Sequence, residues 1–287
     1  MSLNAEELAI RLLEESDVAE AMRLKSAAGW NQTEEDWLRL LRLCPRGCFA
    51  ATAGARLVGT TTNTMYGREL AWVGMVLVDP EFRRRGIATA LVRAALEVLD
   101  AAAVATVKLD ATPEGVPVYE ALGFEAELHI ERWVGVARAK ASPALAAEGA
   151  PDPSQIFELD RRAFGADRSE LLRALWEESC VTPAASMGAD GRLRGYALAR
   201  RGALSDYVGP LVAEEAETAA ALLDDVLNRL DAGRVCADLN TTYAGGARVL
   251  EARGFVKQRE LIRMRRGVGS GAGTSGIVFA IAGPEVG

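Results

Sequence analysis

The chain has a single histidine, His129, and four cysteines, Cys44, Cys48, Cys180 and Cys236, none of them in a Cys-x-x-Cys pair. Without clustered imidazole or thiolate ligands a metal site is not expected, and the cysteines are expected to pack as small apolar side chains. No stretch approaches the ~20 uninterrupted apolar residues of a membrane helix, so no membrane partner is expected. The acidic start Met-Ser-Leu-Asn-Ala-Glu-Glu is unlike a secretory leader, and a cytoplasmic location is the expectation. A basic excess is missing as well: 33 Lys and Arg stand against 40 Asp and Glu, for a net charge of −7. A domain that tracks a phosphate backbone carries the opposite balance, which argues against a nucleic-acid partner. What remains is an ordinary globular composition, 49% hydrophobic and 25% charged, in 287 residues, a length that accommodates two domains.

The most informative segment is Val76-Leu-Val-Asp-Pro-Glu-Phe-Arg-Arg-Arg-Gly-Ile-Ala-Thr89. Trp72 to Val78 is nearly unbroken hydrophobe, which suits a strand buried on both faces, and Pro80, lacking an N–H, ends it. Ile87, Leu91, Ala94, Ala95, Val98 and Leu99 then recur at helical spacing. The turn between strand and helix presents free amides at the positive end of the helix dipole. Arg83, Arg84 and Arg85 add charge, and Gly86 permits close approach. A phosphate or pyrophosphate ligand is the physical expectation.

Around this segment the first half reads β-α-α-β-β-β-α-β-α-β. Thr33 and Asp36 are spaced as a helix N-cap and its third-position acid, and a hairpin turns around Gly54. Residues 137–152 shift to Ala, Pro, Gly and Ser, the composition of a linker, dividing the chain into domains 1–136 and 153–287. Beyond the linker the chain repeats itself. Leu109-Asp110-Ala111-Thr112 through Tyr119-Glu-Ala-Leu-Gly123-Phe124 is echoed by Leu239-Asn240-Thr241-Thr242 through Leu250-Glu-Ala-Arg-Gly254-Phe255, and Arg56-Leu-Val-Gly59 by Arg192-Leu-Arg-Gly195. Two matches in the same order indicate a tandem of one fold. Superimposing the Gly-Phe pairs sets Glu217 opposite Gly86, Glu214 opposite Arg83 and Leu250 opposite Tyr119. A pyrophosphate at Glu214-Glu-Ala-Glu217 would face like charge, so the second copy is expected to keep the fold and lose the ligand. Gly271-x-Gly273-x-x-Gly276 matches a dinucleotide fingerprint only as a string, since it precedes a strand pattern from Ile277 to Ala282 instead of opening a helix.

Arg83-x-x-Gly86-x-Ala88 after a Val-x-Pro strand end, with Tyr119-x-x-x-Gly123-Phe124 downstream, resembles the GNAT superfamily of acetyl-CoA-dependent N-acetyltransferases over residues 9–134. The fold class so implied is α/β (α+β): two tandem GNAT folds, each a mixed, mainly antiparallel twisted sheet flanked by helices. By the same resemblance, the main-chain groups of Val76, Leu77 and Val78 would bond the pantetheine arm. Arg83, Arg84, Arg85, Gly86, Ile87, Ala88 and Thr89 would form the pyrophosphate loop, the Val76 N–H would polarise the thioester carbonyl, and Tyr119 would protonate the departing thiolate. Where the family often has asparagine after its fifth strand, this chain has Thr112-Pro113-Glu114-Gly115.

For the general base, Glu69, Asp110 and Glu114 are all plausible by position. Acceptor recognition is expected from Trp30, Asn31, Glu34 and Glu35 in the first copy, and from Asp206, Tyr207, Asn240 and Tyr243 near strand ends of the second, where acids would suit a cationic amine. The expected activity is acetyl transfer from acetyl-CoA to a small-molecule amine or peptide by direct attack in a ternary complex, with no metal. A non-catalytic acyl-CoA-binding or regulatory protein is the alternative. A second is a small-molecule acetyltransferase resembling mycothiol synthase, another tandem GNAT protein, although its catalytic copy is C-terminal whereas the intact loop here is N-terminal. A tandem pair can imitate the dimer of single-domain relatives, so a monomer is expected.

Overall fold

The computed structural model describes residues 8–137, 152–267 and 275–287. The interior of the expected linker, and Gly271 and Gly273 of the glycine-rich segment, lie outside the described residues. The first half comprises β1 (Leu8–Leu12), α1 (Val18–Ala27), α2 (Glu34–Leu43), β2 (Phe49–Ala53), β3 (Arg56–Tyr66), β4 (Leu70–Val78), α3 (Ile87–Ala101), β5 (Thr106–Ala111), α4 (Val116–Glu120) and β6 (Glu125–Ala137). The second comprises α5 (Pro153–Phe164), α6 (Ser169–Glu177), β7 (Ala184–Met187), β8 (Leu193–Arg200), β9 (Asp206–Ala213), α7 (Ala216–Arg229), β10 (Gly233–Asn240), α8 (Gly246–Glu251), β11 (Val256–Gly267) and β12 (Val278–Ala280). Local chemistry sets several boundaries. Thr33 caps α2 with the expected reciprocal bonds to Asp36, and Gly86 enters α3 at φ 78°, a left-handed value that suits glycine.

The two expected sheets are one. Twelve strands run in the order β1-β2-β3-β4-β5-β11-β6-β10-β12-β9-β8-β7. Each half gives its long C-terminal strand to the other: β11 pairs with β5 of the first half, from Ile262 opposite Ala111 to Gly267 opposite Thr106, while β6 pairs with β10 of the second, from Asn240 opposite Ile130 to Gly233 opposite Ala137. β6 and β11 are antiparallel neighbours at the centre. The mostly antiparallel sheet is thus continuous across the repeat.

Alternation along β4 sends Trp72 to one face and Ala71 and Val73 to the other. On the first face α1, α2, α5 and α6 share one core, in which Trp37, Leu40, Ile156, Leu171 and Leu172 are all buried. On the other, α3 and α4 cover the first half and α7 and α8 the second, with separate cores. Charge is buried between the halves as well. Arg200 bridges Asp36 and Glu285, and Arg39 pairs with Asp36 and Glu178.

Candidate active site

The site begins with a defect in β4. Thr60 of β3 lies opposite Leu77 and Thr62 opposite Gly74, so β4 carries one extra residue between them, a β-bulge. Met75, inside it, takes a positive φ of 51°, a conformation that costs a non-glycine residue about 1–3 kcal/mol and persists only where the surroundings enforce it. The hydroxyl of Thr60 donates to the Met75 carbonyl at 2.8 Å and holds the bulge. On its other side β4 pairs with β5 only at Leu70, Ala71 and Trp72. From Val73 onward the two parallel strands diverge, and the main-chain groups of β4 on that edge face a cleft of about 1140 Å³.

The expected cofactor residues gather on this cleft. Val76, Leu77, Val78, Arg83, Arg84, Gly86, Ile87, Ala88 and Thr89 line it from the β4–α3 side, and Tyr119, Thr112, Pro113 and Glu114 from the β5–α4 side. The loop is anchored by Asp79, which is buried where β4 ends. One of its oxygens accepts the Glu81 N–H at 3.1 Å, and the other accepts from Arg23 and Arg56 at 2.9 and 2.8 Å. Arg84 has a positive φ of 60°, and space around Gly86 is open: a Cβ there would meet nothing within 4 Å. This glycine serves the backbone's left-handed turn and leaves room in front of the α3 amides, which fits a pyrophosphate. Arg85 departs from its neighbours. It is not on the cleft wall, and its guanidinium lies over the Phe82 ring at 4.9 Å and donates to the Glu81 carbonyl at 3.1 Å.

Tyr119 is 9% exposed and packs edge-on against Phe124. Burial alone pushes its phenol above the usual tyrosine value, so it stays protonated at neutral pH. Of the three carboxylates considered as bases, Asp110 is buried in a two-pronged ion pair with Arg263, 2.8 and 2.9 Å. Burial raises its pKa against the pull of that arginine. Glu69 sits in the turn before β4, at the end of the strand away from the loop. Glu114 lines the cleft and is exposed.

The second half has the same splay, but it is filled. β9 and β10 pair in parallel only at Asp206–Val235 and Tyr207–Cys236. Beyond that point β12 inserts between them, with Val278 and Ala280 opposite Val212 and Leu211 of β9 and Ala280 opposite Leu239 of β10. Phe279 is fully buried there, edge-on to Tyr243. At the counterpart of the loop, Glu214 pairs with Arg162 at 2.5 Å and Arg194 at 3.1 Å, so acid occupies the place where the first half has the Arg83 guanidinium.

The expected acceptor residues scatter. Trp30 lines the cleft. Asn31 is buried and serves as a bracket to the second half: its side chain accepts the N–H groups of Leu204 and Ser205 at 2.8 and 3.0 Å and donates to the Ser205 carbonyl at 2.9 Å. Glu34 and Glu35 are exposed in the first turn of α2. Asp206 pairs with Arg201 at 2.8 Å. Tyr207 is buried and donates to Asp238 and the Ile281 carbonyl. Asn240 accepts from the amide and hydroxyl of Thr242, shaping the turn after β10. Tyr243 is buried in the core of the second half.

In their place the cleft wall includes Gln32, Arg259, Glu260, Leu261, Pro284 and Glu285. Three of these come from the exchanged strand β11 and two from the segment after β12, which crosses to the first half. The Trp72 indole donates to the Pro284 carbonyl at 2.9 Å, and the Tyr66 hydroxyl to that of Val286 at 2.7 Å. A Cβ on Gly74 would fall 2.6 Å from the Glu285 carbonyl oxygen, which explains a glycine beside the bulge. The Glu285 carboxylate is held by Gln32 at 2.8 Å and Arg200 at 3.0 Å, and burial pushes its pKa up. Only a reading of the two copies together could have found these residues, since in isolation each copy would keep its own last strand.

Among the described residues no group of three or more His, Cys, Asp or Glu side chains is arranged to hold a metal ion, and no helix is long and apolar enough to cross a membrane.

Both halves of the chain are similar to known proteins. The pattern of the Acetyltransferase (GNAT) family matches residues 12–124, and that of an Acetyltransferase (GNAT) domain matches residues 156–280. Among curated proteins, the uncharacterized N-acetyltransferase YitH of Bacillus subtilis (strain 168) is 30% identical over 226 residues, 77% of each chain. Among solved structures, a putative acetyltransferase from Pyrococcus horikoshii is similar with a TM-score of 0.80 at 22% identity, over 100% of this chain and 98% of that one. A tandem GNAT protein from the clavulanic acid biosynthesis pathway aligns with a TM-score of 0.64 at 19% identity, over 92% of this chain and 99% of its own. The two matched segments cover both halves of the repeat, and the chain is a tandem-domain member of the GNAT acetyltransferases.

Proposed function

We propose that the protein moves an acetyl group from acetyl-CoA to a primary amine, with both substrates held together in the cleft of the first half. The observation that carries this reading is the cleft itself. A bulged strand edge beyond its pairing with β5, an open loop at a helix N-terminus and a buried protonated phenol line one cavity of about 1140 Å³.

Acetyl-CoA supplies the activated acyl group and the thiolate leaving group. The chain's residues do the rest. The amides at Gly86, Ala88 and Thr89, with Arg83 and Arg84, hold a pyrophosphate, and the edge of β4 from Val76 to Val78 bonds an extended pantetheine arm as a strand would. The Val76 N–H donates to the thioester carbonyl oxygen as negative charge develops there. Tyr119 donates its proton to the sulfur, and its raised pKa keeps that proton available across the neutral range. Glu114, alone of the three carboxylates considered, lines the cleft without a hydrogen bond or ion pair to a described residue, which makes it the best-placed group to take a proton from an incoming ammonium. Only the first half binds the cosubstrate, because β12 fills the matching slot in the second.

The test is release of free CoA from acetyl-CoA across a panel of amines. Acetylation of at least one amine at a rate that depends on protein supports the reading. Failure of every amine beside measurable acetyl-CoA binding favours a non-catalytic binding protein.

A further inference from the structure

The strand exchange delivers Arg259 to the cleft. The β6–β11 ladder slips at Gln258, so that Lys257 lies opposite Trp133 and Arg259 opposite Arg132. Such a bulge re-aims the side chains beside it, and Arg259 lines the cleft of the other half.

Its charge is not spoken for. The neighbouring carboxylate, Asp238, is saturated: Arg132 holds both its oxygens at 2.8 and 2.5 Å, and Tyr207 donates to one of them at 3.1 Å. The other acids of the cleft wall are engaged as well, Asp110 by Arg263, Glu285 by Arg200 and Gln32, and Glu260 by His129 and Lys257, which leaves the exposed Glu114. Arg259 makes no hydrogen bond or ion pair with a described residue, and its Nε is enclosed without a partner. An unpaired buried donor on a cation is costly, and the cost is recovered when an anion arrives. Burial and the adjacent Arg132 both hold the Arg259 pKa below the usual arginine value, against the pull of Asp238. A bound anion would reverse that. Only one other guanidinium lining the cleft is unpartnered among the described residues, that of Arg84, and it belongs to the loop suited to pyrophosphate.

We propose that Arg259 is the anion-binding residue of the acceptor site, and that the acceptor is an amine carrying a carboxylate. A guanidinium fork matches a carboxylate with two parallel hydrogen bonds, and Arg259 stands on the β5 side of the cleft, across from the pyrophosphate loop. The inference rests on the acetyltransferase reading for the word acceptor, but its geometry does not depend on turnover.

Binding to the protein saturated with CoA, read by calorimetry, tests it directly. The panel contains free α-amino acids, the same amino acids as amides, and C-terminally amidated peptides with Asp or Glu next to a free N-terminus. Free amino acids are expected to bind about 10- to 100-fold more tightly than their amides, the range of one charge-assisted interaction. Acidic peptides binding in place of free amino acids would assign the same carboxylate recognition to a peptide acceptor. In Arg259→Gln the ratio of carboxylate to amide affinity should collapse towards one, and in Arg259→Lys, which keeps the charge and loses the fork, it should survive in part. Equal binding of carboxylates and amides, no binding by any member of the panel, or a preference that persists undiminished in Arg259→Gln would overturn the inference. Absence of CoA release beside a clear carboxylate preference would instead fell the catalytic reading and leave the anion site standing.

Discussion

The ring of Phe279 meets that of Tyr243 edge-on, centroids 5.2 Å apart and planes at 78°, inside the slot that in the first half stands open. Phe279 is fully buried and belongs to β12, the strand wedged between β9 and β10. Replacing it with alanine is expected to cost about 3–5 kcal/mol of stability, the usual price of emptying an aromatic site in a packed core. Urea unfolding checks this. The same variant should still bind one acetyl-CoA, because Glu214 and its arginine partners remain at the loop position.

Gly86→Glu should abolish acetyl-CoA binding. The residue sits at φ 78°, where a side chain costs about 1–3 kcal/mol of backbone strain, but the space beyond its Cβ is open, so no clash is added as a carboxylate enters the anion's place. Calorimetry on the unaltered protein should give one site, lost in the variant. Two sites would refute the assignment of binding to the first half alone.

Tyr119→Phe should lower kcat by about 10²-fold or more, the range of general acid help, with little change in acetyl-CoA affinity. Burial holds the phenol above its ordinary pKa, so it is protonated below that value and does not titrate between pH 6 and 9. A break in the rate profile within that window should therefore persist in the variant. An unaltered kcat would remove the acid role from Tyr119.

Asp238 bears on stability against pH. Burial pushes its carboxyl up, but Arg132 and Tyr207 outweigh that and leave it below the usual carboxylate range. A carboxyl depressed in the folded state stabilises above its unfolded pKa of about 3.9, and the contribution fades as pH falls through the folded value. Asp238→Asn leaves Arg132 buried without its counter-charge and is expected to cost about 3–5 kcal/mol at pH 7. The loss should shrink towards pH 3, as followed by thermal melts across pH.

Asn31→Ala removes three hydrogen bonds that tie the first half to the loop before β9. At about 1 kcal/mol for each bond, the expected loss is about 3 kcal/mol. Because α1, α2, α5 and α6 share one core, unfolding should remain a single transition shifted to lower temperature. A separate early transition in differential scanning calorimetry would contradict that coupling.

Much of this was legible in the chain. The 3.6-residue spacing after Gly86, the proline stop at Pro80 and the capping pair Thr33 and Asp36 are local signals, and the elements formed where those signals stood. The repeat was legible because Gly-Phe and Arg-Leu-x-Gly recur in order. The acids at Glu214 to Glu217 set the second copy apart from the first, and the residues expected to cradle a pyrophosphate lie together, except Arg85, which turns onto Phe82.

Tertiary structure alone decided which copy each last strand serves. β6 and β11 have similar patterns and each could close either sheet, so the exchange is set by packing across the repeat and leaves no mark in local periodicity. That exchange puts Arg259, Glu260 and Leu261 on a cleft more than 130 residues upstream, and the segment after β12 brings Glu285 there too. For the same reason Asn31, with the composition of a ligand-binding residue, became a bracket between halves. The sequence determined the two folds and the loop that opens α3, because both are written in neighbouring residues; the far wall of the cleft is built from contacts between distant ones, which only the folded chain brings together.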